Sequence, residues 1–258
     1  MERHRTQTKE RRNRMNTFIA VDLETTGLSP EKDFIIEIGA MKYENGVPVE
    51  RFSSLVKPPV SISNRIYEIT GIDDAMVADA PDIGVVLKEF LAFVGEEQVL
   101  LGHNLRFDFG FLKTSAKRQG ISFQKKGLDT LLIARKALTE LPQKKLADLS
   151  AYYGVTNPRA HRAFEDAVTT AKVYLRMYEE FGNTMPELFV PKEMQYKVKK
   201  VEPITIKQKN YLLDLLKYHK IQGEAFFGEK GKKIDALTKS EASKMIDEVI
   251  SHYGRIMR

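Results

Sequence analysis

At 258 residues the chain has room for one full domain and a small second one, and its 42% hydrophobic and 29% charged content excludes a disordered protein. The lack of cysteine excludes disulfides and cysteine zinc sites and fits a reducing, cytoplasmic setting. No apolar run reaches membrane-spanning length and no secretory signal is visible, so no membrane is expected among its partners. The net charge of +6 is uneven: residues 1–14 carry six Lys/Arg against two Asp/Glu, residues 191–258 carry fifteen against nine, and the body between them is acidic. Such a body suits a metal-binding core with flanks that attract polyanions, although lysine-rich ends are as often merely solvated.

Residues 1–15 are basic, nearly free of apolar side chains, and predict a disordered extension ahead of a natural start at Met15, with a DNA-contacting arm as the functional alternative. Residues 17–24, TFIAVDLE, read as a buried strand that ends in the turn TTGLSP. Residues 34–46 and 47–58 predict the next two strands, joined by a hairpin turn at Asn45 and Gly46. SNRIYEITGI predicts a short helix ending at Gly71. Pro81 opens a helix through about Val94, with Ile83, Val86, Leu87, Phe90, Leu91 and Val94 on one face. QVLLGH is a short buried strand, RFDFGFLKTSAKRQG a helix stopped by Gly120, and KGLDTLLIARKAL a strand running into a helix. Further helices are expected over 146–153 and 162–181.

A three-strand meander followed by alternating strands and helices argues for a mixed α/β sheet flanked by helices over residues 16–183. Residues 184–203 read as a linker containing Pro and Lys, and residues 204–258 as a small helical domain. Thr205 with Gln208, and Thr238 with Glu241, form capping boxes there, the second ahead of an amphipathic helix carrying Ala242, Met245, Ile246, Val249, Ile250 and Tyr253.

Four carboxylates and one histidine carry the chemistry. Asp22 and Glu24 alternate at a strand end, so both point into one space, and like charges that close need a cation. Alone, a D-x-E is weak and as easily a pair of surface acids. Asp108 starts a helix after Gly-His-Asn and sits among Phe107, Phe109, Phe111 and Leu112; Asp166 lies one turn into the 162–181 helix. Each of these two reads equally as an acid favoured by a helix dipole. His161 comes just ahead of that helix, where a loop could hold it above the carboxylates, and histidine is the side chain that titrates near neutrality. Oxygen ligands select magnesium or manganese, and a pair of such cations about 3.5–4 Å apart is the kit for phosphodiester hydrolysis, with the histidine as base.

Together these segments resemble the DEDD exonuclease superfamily in its histidine branch: Asp22 and Glu24 match the first motif, His103, Asn104, Phe107 and Asp108 the second, His161 and Asp166 the third. The tyrosine branch would place Tyr where Arg162 stands. The likeness covers about residues 16–182 and is to the epsilon-type proofreading subunit of bacterial DNA polymerase III and the exonuclease region of PolC-type polymerases. It implies a ribonuclease H-like fold and metal-dependent release of 5′-mononucleotides from 3′ ends. Asp22, Glu24, Asp108 and Asp166 would hold two Mg2+ or Mn2+ ions, and His161 would be the general base. Thr25, Thr26, Gly27, Leu28, Ile69 and Thr70 would meet the terminal nucleotide, with His103, Asn104 and Phe107 lining the scissile end. Asp129 and Thr130 match a supporting Leu-Asp-Thr segment.

The expected substrate is a DNA 3′ end, preferably single-stranded, in proofreading, repair or end trimming. The rivals are an RNA 3′-exonuclease of the oligoribonuclease or RNase T kind, and a tethering module without turnover. Residues 204–258 show no match to an epsilon-type polymerase-binding tail. Their basic residues could hold substrate, or their apolar helix faces could dock on a polymerase or repair partner.

Overall fold

The structure, a computed structural model, describes residues 16–96, 99–198, 202–229 and 233–256. The expected extension over 1–15 lies outside them. The chain divides into two compact units, Met1–Val198 and Lys199–Arg258.

The first unit holds a six-stranded sheet in the order β3-β2-β1-β4-β5-β6. The strands are β1 (Phe18–Thr25), β2 (Ile35–Glu44), β3 (Val47–Leu55), β4 (Leu100–Gly102), β5 (Lys126–Asp129) and β6 (Lys192–Glu193). β1, β2 and β3 form an antiparallel meander, β4 and β5 join β1 in parallel, and β6 closes the edge antiparallel to β5. The β2–β3 turn is the predicted hairpin, and both Asn45 (φ 55°) and Gly46 (φ 82°) take the left-handed backbone that a two-residue turn needs.

Helices cover both faces: α1 (Asn64–Thr70), α2 (Asp74–Val77), α3 (Ile83–Val94), α4 (Leu105–Arg118), α5 (Thr130–Ala137), α6 (Leu146–Tyr152) and α7 (Ala163–Phe181). Strand alternation sets the two cores. Ile19, Val21 and Leu23 of β1 pack with Phe90 of α3 and Phe109 of α4. Phe18 and Ala20 pack on the other face with Ile133 of α5, Leu149 of α6 and Tyr174 of α7. This is the mixed, helix-flanked α/β sheet of a ribonuclease H-like fold.

Two expectations shift. The third helix begins at Ile83 rather than Pro81, because the Asp82 carboxylate accepts the N–H groups of Gly84 and Val85 at 2.7 and 3.2 Å and caps it. The stretch expected as a linker over 184–203 contributes a 3-10 turn (Pro186–Phe189) and β6. Phe189 is fully buried there, and Tyr196 donates its hydroxyl to Glu31 at 2.9 Å.

The second unit contains α8 (Ile206–Tyr218), α9 (Gly223–Glu229) and α10 (Lys239–Tyr253). Both predicted capping boxes form, at Thr205/Gln208 and Thr238/Glu241. Leu212, Leu215 and Leu216 of α8 meet Ala242, Met245 and Val249 of α10 in a separate small core.

Candidate active site

Asp22 and Glu24 share the strand parity of Phe18 and Ala20, so they face α7. In the β1–β2 register Asp22 lies opposite Gly39 and Glu24 opposite Glu37. Gly39 lets α7 approach: a Cβ there would stand 2.1–2.4 Å from the backbone of Ala163 and Phe164. The helix start that carries Asp166 therefore rests directly on the strand beside Asp22.

Asp108 arrives from the other side. β4 pairs with β1 only at Ile19 and Ala20, so the Leu23 N–H has outrun its strand partner. The Asp108 carboxylate accepts that N–H at 3.1 Å. Asp108 is 3% exposed, fixed at the carboxyl end of the parallel strands, the region where open α/β sheets place their sites.

Asp166 accepts from the Asn157 amide at 2.5 Å and from the His161 backbone N–H at 3.0 Å. His161 is exposed and takes a left-handed backbone (φ 62°), uncommon for a residue with a side chain and concentrated at functional sites. One ligand atom from each of Glu24, His161 and Asp166 lies within 4.8 Å of the others. Asp22 and Asp108 stand outside that group but are coupled to it by charge. Burial pushes the Asp22 carboxyl well above the ordinary carboxylate range, and Asp108, Glu24 and Asp166 push it further. Burial likewise raises Asp108, against the pull of its hydrogen bonds. Glu24 is pushed up to about 8, by burial first, then by Asp166 and Glu37, with Arg162 pulling down. Asp166 is raised by burial, against the Asn157 and His161 hydrogen bonds. A set of carboxylates crowded until each resists ionising is a fit for divalent cations, which remove the repulsion.

The remaining predicted site residues fall into two groups. The Thr25 hydroxyl donates to the Gly27 carbonyl at 2.6 Å and the Thr26 hydroxyl accepts from Phe34 at 3.0 Å, so both hold the turn together. Thr70 is buried, its hydroxyl donating to Ile66 and accepting from Ile72. Two apolar side chains of these loops face solvent: Leu28 is 82% and Ile69 44% exposed. His103 is half-buried with Nδ1 2.9 Å from the Thr130 hydroxyl, and burial lowers its pKa to about 4. Asn104 sits at φ 63° ahead of α4, its N–H donated to Asp129 at 3.0 Å, and Phe107 packs at a tilt against Phe111 with ring centroids 5.0 Å apart.

Sequence reasoning missed Glu37 and Arg162. Glu37, 2% exposed, accepts two hydrogen bonds from the Arg162 guanidinium at 2.7 and 3.2 Å, and a third from the Ala163 N–H at 3.1 Å. It thus caps α7 from β2 and pins the residue next to His161. The available signal was a single acid inside the apolar run IIEIGAM.

The exonuclease family model of RNase T type matches residues 19–174. A PolC-type DNA polymerase III of Caldanaerobacter subterraneus is 43% identical over 163 residues, 63% of this chain and 12% of that protein. The DNA polymerase III epsilon subunit of Aquifex aeolicus is 38% identical over 165 residues, covering 64% of this chain and 81% of that one. The chain thus spans about an eighth of the PolC-type relatives. Among solved structures, exonuclease X in complex with 5′-overhanging duplex DNA is 25% identical with a TM-score of 0.53, over 67% of this chain and 99% of that one. E. coli exonuclease I with a dA16 oligonucleotide shares the fold at 20% identity and a TM-score of 0.58, over 67% of this chain and 42% of that one. Its motifs, its sheet and these likenesses agree: the chain belongs to the RNase T-type exonuclease family and is related to the PolC and epsilon proofreading exonucleases.

Proposed function

We propose that the protein removes 5′-mononucleotides from DNA 3′ ends by metal-dependent phosphodiester hydrolysis. The observation that carries this reading is the convergence of Glu24, His161 and Asp166, with the half-buried Asp22 and the buried Asp108 close enough to act on the cluster by charge.

Asp22, Glu24, Asp108 and Asp166 would supply the oxygen donors for two Mg2+ or Mn2+ ions, a donor set that favours hard cations over soft ones. Bound cations of this kind neutralise the phosphate, ease deprotonation of the attacking water and stabilise the leaving oxygen. The protein's own groups do the rest. The His161 imidazole, held out over the acids by its left-handed backbone, takes the proton of the attacking water. Asn157 and the His161 N–H orient Asp166. Leu28 and Ile69 offer apolar surface to the terminal base; the turn built by Thr25, Thr26 and Gly27, with Thr70 behind Ile69, holds them in place. His103, Asn104 and Phe107 line the scissile end, and His103 does so uncharged at neutral pH. A DNA substrate is supported by the DNA polymerase relatives at 38–43% identity. The helical unit of residues 204–258 reads as a docking module for a polymerase or repair partner, supported by Ile206 and Leu213, exposed two turns apart on α8.

The test is degradation of matched DNA and RNA oligomers labelled at each end in turn, with Mg2+, Mn2+ or EDTA. The expected result is metal-dependent release from the 3′ end, faster on DNA. Release from the 5′ end, undiminished turnover in EDTA, or equal turnover by Asp22→Ala overturns the site. A strong preference for RNA keeps the chemistry and changes the substrate.

A further inference from the structure

A groove of about 540 Å³ runs along the sheet edge between β5, α5 and residues 188–195. Leu128, Ile133, Leu188 and Val190 give it an apolar floor, and Leu132, 55% exposed, stands at its lip. Arg106, Arg135, Lys136 and Lys192 line it with positive charge. None of these four forms an ion pair among the described residues. The two acids in the lining are already committed. Asp129 accepts the N–H groups of Asn104 and Leu131 at 3.0 and 2.9 Å, and Glu193 faces Lys126 at 3.9 Å.

One end of the groove is a wall of the active site. Asp129 joins the two directly through Asn104, and Arg106 lies on the same first turn of α4 as Asp108. Arg135, on α5, is close enough to act on His103 electrostatically. An apolar trough whose four cations outnumber its two acids and form no ion pair among the described residues, opening off a site that handles a phosphodiester, has the chemistry of a single-stranded nucleic-acid track: bases take the floor and phosphates take the rim. A peptide would find the apolar floor equally suitable, but would leave the four cations unanswered unless it were strongly acidic.

We propose that this groove is a strand-binding subsite that holds the nucleotides on the 5′ side of the cleaved end. Its position relative to a 3′ terminus rests on the exonuclease reading; its affinity for single strands does not. It makes the enzyme sensitive to substrate length, because an oligomer too short to leave the catalytic pocket gains nothing from it.

The test uses the full chain and three exposed-residue changes, Arg135→Ala with Lys136→Ala, and separately Leu132→Asp. Anisotropy of a 5′-labelled dT12 in EDTA, over a range of NaCl, reads the groove without turnover. Both variants are expected to raise the Kd at least 10-fold, and the double variant to flatten the log–log salt slope by about 1.4, roughly 0.7 for each lost phosphate contact. Mn2+-dependent hydrolysis of the p-nitrophenyl ester of thymidine 5′-monophosphate, which reaches only the catalytic centre, is expected to match the parent. Unchanged dT12 affinity at every salt concentration overturns the proposal and leaves a peptide as the groove's occupant. Equal loss on dT12 and the ester also overturns it, since the groove is then part of the catalytic centre. A parent inactive on the ester, with dT12 binding still weakened in the variants, removes the exonuclease reading and leaves the strand track standing.

Discussion

Glu24 should make the metal-free protein lose stability as pH rises, the reverse of the usual carboxylate. Its folded-state pKa of about 8 lies above the ordinary 4.5 because burial and the charges of Asp166 and Glu37 oppose ionisation. The unfolded chain gives up this proton near 4.5 and the folded protein holds it to about 8. Stability from this group is therefore complete below 4.5, falls through the interval, and is lost above 8. At about 1.4 kcal/mol per pH unit, tapering close to each pKa, Glu24 should remove about 3–4 kcal/mol between pH 5 and 8. Other groups titrate in the same range, so the informative quantity is the difference between the parent and Glu24→Gln, which has no proton to lose. Urea midpoints for both at pH 5, 6, 7 and 8 in EDTA supply it. The parent should drop below the variant by an amount that grows with pH, and saturating Mn2+ should close or invert the gap by compensating the charge. A gap that stays constant from pH 5 to 8 in EDTA would refute the electrostatic account of the cluster.

Gly39→Ala puts a methyl group into the backbone of Ala163 and Phe164, so α7 must lift; we expect a loss of about 1–3 kcal/mol in urea melts and a fall in kcat larger than any change in KM. Arg162→Met leaves the buried Glu37 carboxylate with the Ala163 N–H alone. The expected cost is about 3 kcal/mol, largely recovered in the double variant Glu37→Leu/Arg162→Met, whereas additive losses would show that the pair does not act as a unit. His103 works in the opposite sense to Glu24: its pKa is lowered to about 4, so its contribution is present above the unfolded value of 6.5 and is lost as pH falls toward 4. His103→Gln should therefore lose less stability than the parent between pH 6.5 and 4.5, and identical curves would remove the buried neutral imidazole.

What could be read from the sequence was local or periodic. The Asn45-Gly46 turn, the two capping boxes and the Gly71 helix stop rest on residues at most a few positions apart. Strand alternation alone put Asp22 and Glu24 into one space. The Glu37–Arg162 pair was hidden because its members are 125 residues apart and each looks ordinary by itself. β6 was hidden because two exposed residues, Lys192 and Glu193, carry no strand pattern; their pairing with β5 makes the strand. Pro81 misled by two positions, since the capping carboxylate of Asp82 sets the start at Ile83. The roles of Thr25, Thr26 and Thr70 differ from a simple contact list because their hydroxyls are engaged by their own turns.

Calorimetric titration of the chelator-treated protein with Mn2+ tests the central claim most directly. The account predicts saturable uptake of two equivalents by the parent, and loss of at least one in both Asp22→Asn and Asp108→Asn with the folded structure retained. A parent that takes up no Mn2+, or variants that bind as the parent does, would contradict it.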